Sequence, residues 1–238
     1  MTAKLRRELE RTYEVNCLDV KADVGAADGP RELVIQAKKS MSDPKTGKFQ
    51  IDIVINNAGV AKDATIEDVR VEDFERLYRI NVLGPIRVMQ AVIPYLPHDR
   101  SGRVVNVSSV SSSEGFIGQS VYGGTKAALE AMTRTWAREL AERATVNAIN
   151  PGPVKTDMWN GVGSGFVERM SPFVRHTPLQ AIRPGIDDED LVEGAKALGG
   201  RPAYVEEIAG IVGMLCTAES AFCTGQVVCA NGGMRMAI

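Results

Sequence analysis

Short runs of apolar residues alternate along this chain with longer stretches in which apolar positions recur every three or four residues. The short runs predict strands at residues 14–20, 51–55, 103–107, 144–150 and 226–230. The longer stretches predict helices at residues 29–41, 71–95, 120–143 and 205–217. Strands that alternate with helices in this way favour a parallel sheet with helices on both faces.

A hydroxyl, a phenol and an amine stand close together along the predicted elements. Ser109 follows the strand 103–107, and Tyr122 and Lys126 lie four residues apart on the helix 120–143. Residues four apart share one face of a helix, so both side chains can point into one pocket. A free phenol, with a pKa of about 10, is a poor general base at neutral pH, and a nearby ammonium lowers that pKa by stabilising the phenolate. With Ser109 placed to hold the substrate oxygen, the spacing indicates carbonyl and alcohol chemistry.

Together with these three residues, several motifs resemble the short-chain dehydrogenase/reductase family. They are Asn56-Asn-Ala-Gly59 after the strand 51–55, Asn81 in the helix 71–95, the turn from Asn150 to Thr156, and the run from Thr224 to Gly233. The resemblance extends from about Val15 to the C-terminus. It implies a single Rossmann-like domain over residues 1–238, a doubly wound parallel α/β sheet that binds NADP or NAD.

The resemblance also implies a role for each matching residue. The catalytic set is Asn81, Ser109, Tyr122 and Lys126, in which Asn81 anchors a water that leads from the lysine to solvent. The cofactor contacts are Asp23, Val24, Asn57, Ala58, Gly59, Tyr122, Lys126, Pro151, Gly152, Val154 and Thr156. The implied reaction is hydride transfer between the nicotinamide and a ketone or secondary alcohol, with Tyr122 giving or taking the proton on oxygen. A homodimer or homotetramer is also implied.

Residues 157–200 form a long connection rich in Gly, Pro and Met. The resemblance implies that this insertion is a mobile lid over the substrate, and the predicted substrate pocket is Ser111, Met158, Trp159 and Phe166. With Met170 and Phe173, these side chains would suit a bulky apolar or aromatic ketone. The alternative is that they only pack the lid onto the domain.

The N-terminal side departs from the family pattern. No glycine-rich turn precedes Val15, although such a turn carries the backbone N–H groups that receive a cofactor pyrophosphate. We therefore expect a truncated chain that lacks the first two family strands and starts at an internal Met. One rearrangement would keep the sheet continuous, in which residues 14–20 pair directly with residues 51–55 through the helix 29–41 as a right-handed crossover.

Composition excludes several classes of partner. The chain of 238 residues has 28 basic and 30 acidic residues and a net charge of −2, so no strong field favours nucleic acid or an anionic membrane. No apolar run approaches the roughly 18 residues of a membrane span, and charged residues occupy the N-terminus where a signal peptide needs an apolar core. We expect a cytoplasmic protein whose partner is a small carbonyl or alcohol substrate.

Cysteine and histidine usage argues against a metal site. Cys17, Cys216, Cys223 and Cys229 form no Cys-x-x-Cys pair, and the only histidines are His98 and His176. The cysteines are best explained as small apolar residues in a reducing compartment.

Three functions remain open from the sequence. The first is a short-chain oxidoreductase that uses NAD(P). The second keeps Tyr122 and Lys126 for acid/base chemistry without a nucleotide, as in a dehydratase, isomerase or cyclase. The third is a non-catalytic family member that binds a partner.

Overall fold

A computed structural model of the chain describes residues 2–161 and 163–236. Four parallel strands form the sheet of the described part, in the order β1 (Ile53–Asn56), β2 (Gly102–Val107), β3 (Ala144–Ile149) and β4 (Val227–Val228). Each of them overlaps one of the predicted runs. The Rossmann-like α/β fold with a parallel sheet is thereby confirmed.

The α-helices of the described residues lie before, between and after these strands. They are α1 (Thr2–Tyr13), α2 (Gly29–Met41), α3 (Val71–Tyr78), α4 (Gly84–Val92), α5 (Ser120–Glu139), α6 (Asp157–Asn160), α7 (Ser164–Arg175), α8 (Glu189–Leu198) and α9 (Val205–Cys216). α2 begins and ends at the predicted residues. Pro30 suits its first turn because an N–H there has no intrahelical partner, and Lys38 and Lys39 suit the negative end of the helix dipole.

The single helix predicted at residues 71–95 is divided into several parts. α3 and α4 are separated by a π-helical stretch, Arg79–Leu83, and a 3-10 turn at Ile93–Tyr95 follows α4. Pro85 lacks the N–H that a regular helix would donate to the carbonyl of Asn81, so the α-helical ladder cannot continue through this point. The wider turn holds Asn81 with only 1% of its surface exposed.

Two apolar cores lie on opposite faces of the sheet. On one face, α2, α4 and α5 cover Val54, Val104 and Val146. On the other face, α9 covers Val105 and Ile149. β2 and β3 are buried almost throughout, as central strands of a parallel sheet should be, whereas β1 alternates exposed and buried residues.

The strand predicted at residues 14–20 is wrong, and so is its pairing with residues 51–55. α1 ends at Tyr13, and Glu14 has a left-handed φ of 53°, a conformation that commonly ends helices. The following segment lies back against α1, where Glu10 accepts the N–H of Cys17 at 3.4 Å and Arg6 pairs with Asp19 at 3.2 Å. Within the described residues β1 is an edge strand, and Ile53 and Ile55 are 47% and 48% exposed.

Among the described helices, none combines the length and the apolar character that crossing a membrane requires.

Candidate active site

A cleft of about 890 Å³ lies at the carboxyl edge of the sheet. The loops that follow β1, β2 and β3 form its floor, α9 forms one wall, and α6 and α7 form another. In open parallel sheets this edge is where ligands bind, and the volume lies within the range of about 300–1,000 Å³ for small-molecule sites. The cleft is therefore the candidate active site.

Most of the predicted site residues lie together in this cleft. They are Asn57, Ala58, Gly59, Ser109, Ser111, Tyr122, Lys126, Pro151, Gly152, Val154, Thr156, Met158, Trp159 and Phe166. Asn81 is buried against Val60 and Thr125 and does not line the cleft. Asp23 and Val24 lie outside it, in the turn before α2, where Asp23 accepts the N–H of Gly25 at 2.8 Å and Val24 packs against Gly84.

Ser109 is held in the loop between β2 and α5. It caps the 3-10 turn Val110–Ser112, and its Oγ accepts the N–H of Ser111 at 3.2 Å. Val110 donates its N–H to the carbonyl of Pro151 at 3.0 Å, which connects this loop to the loop after β3. One backbone bond thus fixes the Ser109 hydroxyl itself, and a second fixes the loop that carries it.

Tyr122 lies in the first turn of α5, which approaches the Ser109 loop very closely. A side chain at Gly123 would place its Cβ only 2.4 Å from the carbonyl oxygen of Ser111. No residue larger than glycine fits between the helix and the loop in this arrangement. Gly123 therefore lets the phenol of Tyr122 reach the Ser109 hydroxyl.

Lys126 is buried one helical turn after Tyr122. Its Nζ donates to the backbone carbonyl of Val107 at 2.8 Å and lies 5.7 Å from the centre of the Tyr122 ring. Burial lowers the pKa of Lys126 to about 8, because the charged amine is poorly solvated there.

The pKa expected for Tyr122 needs correction. The sequence predicts that the Lys126 ammonium lowers it, but in the structure the pKa is raised. Burial is the main cause of the raised pKa, hydrogen bonding with the Ser109 hydroxyl acts in the opposite direction, and the Asp63 carboxylate raises the pKa further. The ammonium does not offset the cost of burial because Lys126 is directed to the Val107 carbonyl and its own charge is disfavoured.

Asn81 supports the loop after β1. Its side-chain oxygen accepts the N–H of Val60 at 2.9 Å, and its amide donates to the Val60 carbonyl at 2.8 Å. A Cβ on Gly59 would lie 3.4 Å from both Asn81 Oδ1 and Lys126 Nζ. Asn81 therefore positions the Gly59 backbone beside the lysine, and a water anchored by Asn81 stays a prediction.

The loop after β3 forms the predicted nicotinamide side of the cleft. Gly152 packs on Asn231 of the C-terminal loop, whose amide donates to the Asn150 side chain at 3.3 Å, and Thr156 caps α6. Across the floor, Gly59 presents bare backbone next to Lys126. A flat ring and its ribose need such unobstructed backbone and a few fixed polar groups, so these loops fit the nicotinamide end of a dinucleotide.

The predicted lid consists of α6, α7 and α8. Met158, Trp159 and Phe166 line the cleft, and the two aromatic rings lie edge to face at 6.2 Å. Met170 is 3% exposed in a core cluster with Val110, and Phe173 packs on Phe116 with ring centres 4.8 Å apart. Phe173 therefore attaches the lid to the domain and lies outside the cleft lining.

Three polar residues of the site were not identified from the sequence. Asp63 and Gln119 line the cleft beside Ser111, and Glu130 accepts the hydroxyls of Ser108 and Ser112 on either side of Ser109. Two of them have a sequence signal, because Gln119 precedes Tyr122 by three residues and Glu130 follows Lys126 by four. Both spacings place them on the helix face that carries the phenol and the amine. Asp63 has no such signal, since its position depends on the path of a loop.

Comparison with known proteins identifies the family. The family model described as short chain dehydrogenase matches residues 1–165. An L-xylo-3-hexulose reductase of Hypocrea jecorina is 47% identical over 261 aligned residues, which cover 100% of this chain and 85% of that enzyme. An L-xylulose reductase of Aspergillus niger is 49% identical over 250 residues, covering 98% of this chain and 84% of that enzyme.

A solved structure shows the same fold. It is a blue fluorescent protein from a metagenomic library in complex with NADPH, with a TM-score of 0.79 and 28% sequence identity. The alignment covers 99% of this chain and 82% of that protein. With the family model and the two reductases, this match shows that the chain belongs to the short-chain dehydrogenase family and is an oxidoreductase of the kind that uses a nicotinamide dinucleotide.

Proposed function

We propose that this chain reduces a keto sugar to the corresponding polyol with NADPH, and that Ser109, Tyr122 and Lys126 handle the oxygen of the substrate. The observation that carries this proposal is the placement of all three side chains in one cleft, between the loops of residues 57–59 and 151–156. The substrate class is supported by the two similar reductases, whose names specify L-xylo-3-hexulose and L-xylulose. The choice of NADPH is supported by the NADPH complex of the similar structure.

When bound, the nucleotide would supply a hydride to the carbonyl carbon. As the C–H bond forms, the C=O π bond breaks towards oxygen, and Tyr122 gives its phenolic proton to that oxygen to complete the alcohol. The phenolate that remains regains a proton from solvent. Reduction consumes one hydride and one proton, and the oxidation of an alcohol would run through the same steps in reverse.

The raised pKa of Tyr122 suits the donor role. Burial keeps the phenol protonated at neutral pH, so the proton is in place before the ketone is reduced. Lys126, at 5.7 Å from the ring centre, is placed to stabilise the phenolate that forms after proton transfer. Its lowered pKa makes it a short-lived proton carrier as well, because an amine with a pKa of about 8 exchanges protons readily near neutral pH.

We further propose that the remaining predicted contacts, Asp23 and Val24, serve the adenine side of the nucleotide, and that the chain assembles as a homodimer or homotetramer. Exposed apolar residues on α3 and the π-helical stretch support an interface on that side, with Val71 66%, Phe74 44% and Leu83 37% exposed. Light scattering of the protein and of a Phe74→Glu variant tests it, because a charge at an apolar interface should produce monomers.

The proposed reaction is tested by turnover of L-xylulose with NADPH and with NADH. Tyr122→Phe keeps the ring and removes the proton donor, and we expect the rate to fall by about 10²–10⁴-fold while the variant still binds NADPH. Tyr13→Phe, on the exposed end of α1, is the matched control and should keep the full rate. Failure of the wild-type chain to reduce any keto sugar would contradict the substrate, and full activity of Tyr122→Phe would contradict the mechanism.

A further inference from the structure

A row of hydrogen-bonded side chains leads from Ser109 to an acidic residue at the edge of the cleft. Ser109 Oγ lies 3.1 Å from Ser111 Oγ, which lies 2.5 Å from Gln119 Oε1. The other end of the same amide, Gln119 Nε2, lies 3.2 Å from Asp63 Oδ1. All four residues line the cleft, and Gln119 is 7% exposed.

The direction of each bond in this row follows from the hydrogens that each group carries. An ionised carboxylate only accepts, so the amide of Gln119 must turn its NH₂ towards Asp63. The Gln119 carbonyl oxygen then faces Ser111 and takes the single hydrogen of that hydroxyl. Because Ser111 has no second hydrogen to give, Ser109 has to donate to Ser111.

This order leaves Ser109 with an acceptor, and no donor, facing the substrate. Its hydrogen is used by Ser111, and its oxygen already accepts the Ser111 backbone N–H at 3.2 Å. The remaining lone pair of Ser109 faces the phenol of Tyr122, and it can accept the O–H of a bound alcohol in place of the phenol. A ketone oxygen, which has no hydrogen, can be bound by Ser109 only if the bond from Ser109 to Ser111 is broken.

The backbone around the row is fixed. Ala64 donates its N–H to Gly118 at 2.8 Å, which connects the Asp63 loop to the turn before α5, and Gly123 donates to the carbonyl of Gln119 at 2.7 Å. The Lys126 amine is directed to Val107, and the Arg169 guanidinium lies over the Phe166 ring, so neither cation takes the place of the Gln119 amide at Asp63.

We propose that Asp63 and Gln119 are positioning residues that fix the hydrogen-bond direction of Ser109, so that the resting site binds the alcohol better than the ketone. The inference rests on the proposed keto sugar reduction. Asp63 acts on the substrate only through Gln119 and Ser111. Its negative charge is the element that prevents the row from reversing.

Neutralising Asp63 provides the kinetic test. In Asp63→Asn the new amide can donate to the Gln119 oxygen, so the side-chain amide of Gln119 can rotate by half a turn. Gln119 then donates to Ser111, Ser111 donates to Ser109, and Ser109 is free to donate to a ketone. We expect the KM for L-xylulose to fall and the KM for the pentitol to rise, changing their ratio by about tenfold, the value of one hydrogen bond. Gln119→Leu should change the ratio in the same direction. Glu67→Gln, an exposed carboxylate of the neighbouring turn, is the matched control and should leave it unchanged.

The side-chain amide of Gln119 gives a second readout that does not depend on turnover. Its NMR signals are identified by their loss in Gln119→Leu, and in Asp63→Asn we expect them to shift and to exchange faster with solvent. Unchanged amide signals in Asp63→Asn, or an unchanged KM ratio, would overturn the proposal. If the wild-type chain reduces no keto sugar, the proposed function fails, while the amide signals still decide whether Asp63 orients Gln119.

Discussion

Lys126 donates its amine to the backbone carbonyl of Val107 at 2.8 Å, at the last residue of β2. This bond holds the amine under the Ser109 loop, and Lys126 is 5% exposed. A buried ammonium with a single backbone acceptor is poorly solvated, so its pKa falls to about 8. The residue that the proposed chemistry needs therefore costs the folded protein stability.

Lys126→Met should make the protein more stable at neutral pH and inactive. The pKa of Lys126 is about 8 in the folded chain and 10.5 as its ordinary value, so below pH 8 the unfolded chain binds this proton more favourably. Removing the amine relieves the cost of burying its charge, which is about 3 kcal/mol from the difference between the two pKa values. The variant also loses the hydrogen bond to Val107, which is worth about 1 kcal/mol. Urea unfolding at pH 7 should therefore show a net gain of about 2 kcal/mol.

The same variant has a pH signature. The penalty disappears as the pH rises from about 8 to 10.5, because the unfolded chain then releases the proton as well. The difference in unfolding free energy between Lys126→Met and the wild type should shrink over that interval. A difference that stays constant between pH 7 and pH 10 would contradict the burial penalty. Lys4→Met, on exposed α1, is the control.

Gly123→Ala should move the phenol of Tyr122 away from the hydroxyl of Ser109. The new Cβ would lie 2.4 Å from the Ser111 carbonyl oxygen, so α5 and the loop must move apart. A displacement of about 1 Å at reacting groups costs about 10²-fold in rate, and we expect a loss of that size in kcat. Gly194→Ala, in α8, has nothing within 4 Å of the new Cβ and should keep the rate while stabilising the helix by about 0.5–1 kcal/mol. Equal rates in the two variants would contradict the close contact.

The elements that the sequence predicts correctly are those determined by their own residues. β2 and β3 are apolar runs typical of central strands, and Pro30, Lys38 and Lys39 lie at the two ends of α2. The spacing of Tyr122 and Lys126 on one helix similarly required only helical geometry.

Contacts between distant residues determine the features that the sequence did not predict. Residues 14–20 have the composition of a strand, but a strand needs a partner for its backbone groups, and this segment contacts α1 instead. The pKa of Tyr122 likewise depends first on burial by neighbouring segments, and then on the Ser109 hydroxyl and on the approach of Asp63 from another loop. Neither contact can be read from the order of the residues.

The lid is attached to α9 through Arg201, whose side chain is 3% exposed. Arg201 donates to both carboxylate oxygens of Glu207 at 2.8 Å and lies 3.2 Å from Asp187, which is itself buried. Without Arg201, the buried Asp187 keeps only Arg183 as its ionic partner, and the loss of one partner of a buried ion pair costs at most about 3–5 kcal/mol. Arg201→Met should therefore open the segment of residues 178–207 in hydrogen exchange. Lys196→Met, whose pair with Glu193 is exposed, should leave the exchange unchanged.

Glu130 should matter for activity through the two serines that flank Ser109. One oxygen of its carboxylate accepts the hydroxyl of Ser108 at 2.6 Å and the hydroxyl of Ser112 at 2.7 Å, so α5 holds the loop at both ends. In Glu130→Ala both hydroxyls lose their acceptor and the loop is free to shift, and we expect kcat to fall about tenfold and stability to fall by about 1–3 kcal/mol. Glu130→Gln keeps an acceptor oxygen and should restore most of the rate. The kcat values of the two variants are compared directly. If Glu130→Gln is as slow as Glu130→Ala, the negative charge of Glu130 matters and positioning of the loop does not explain the effect.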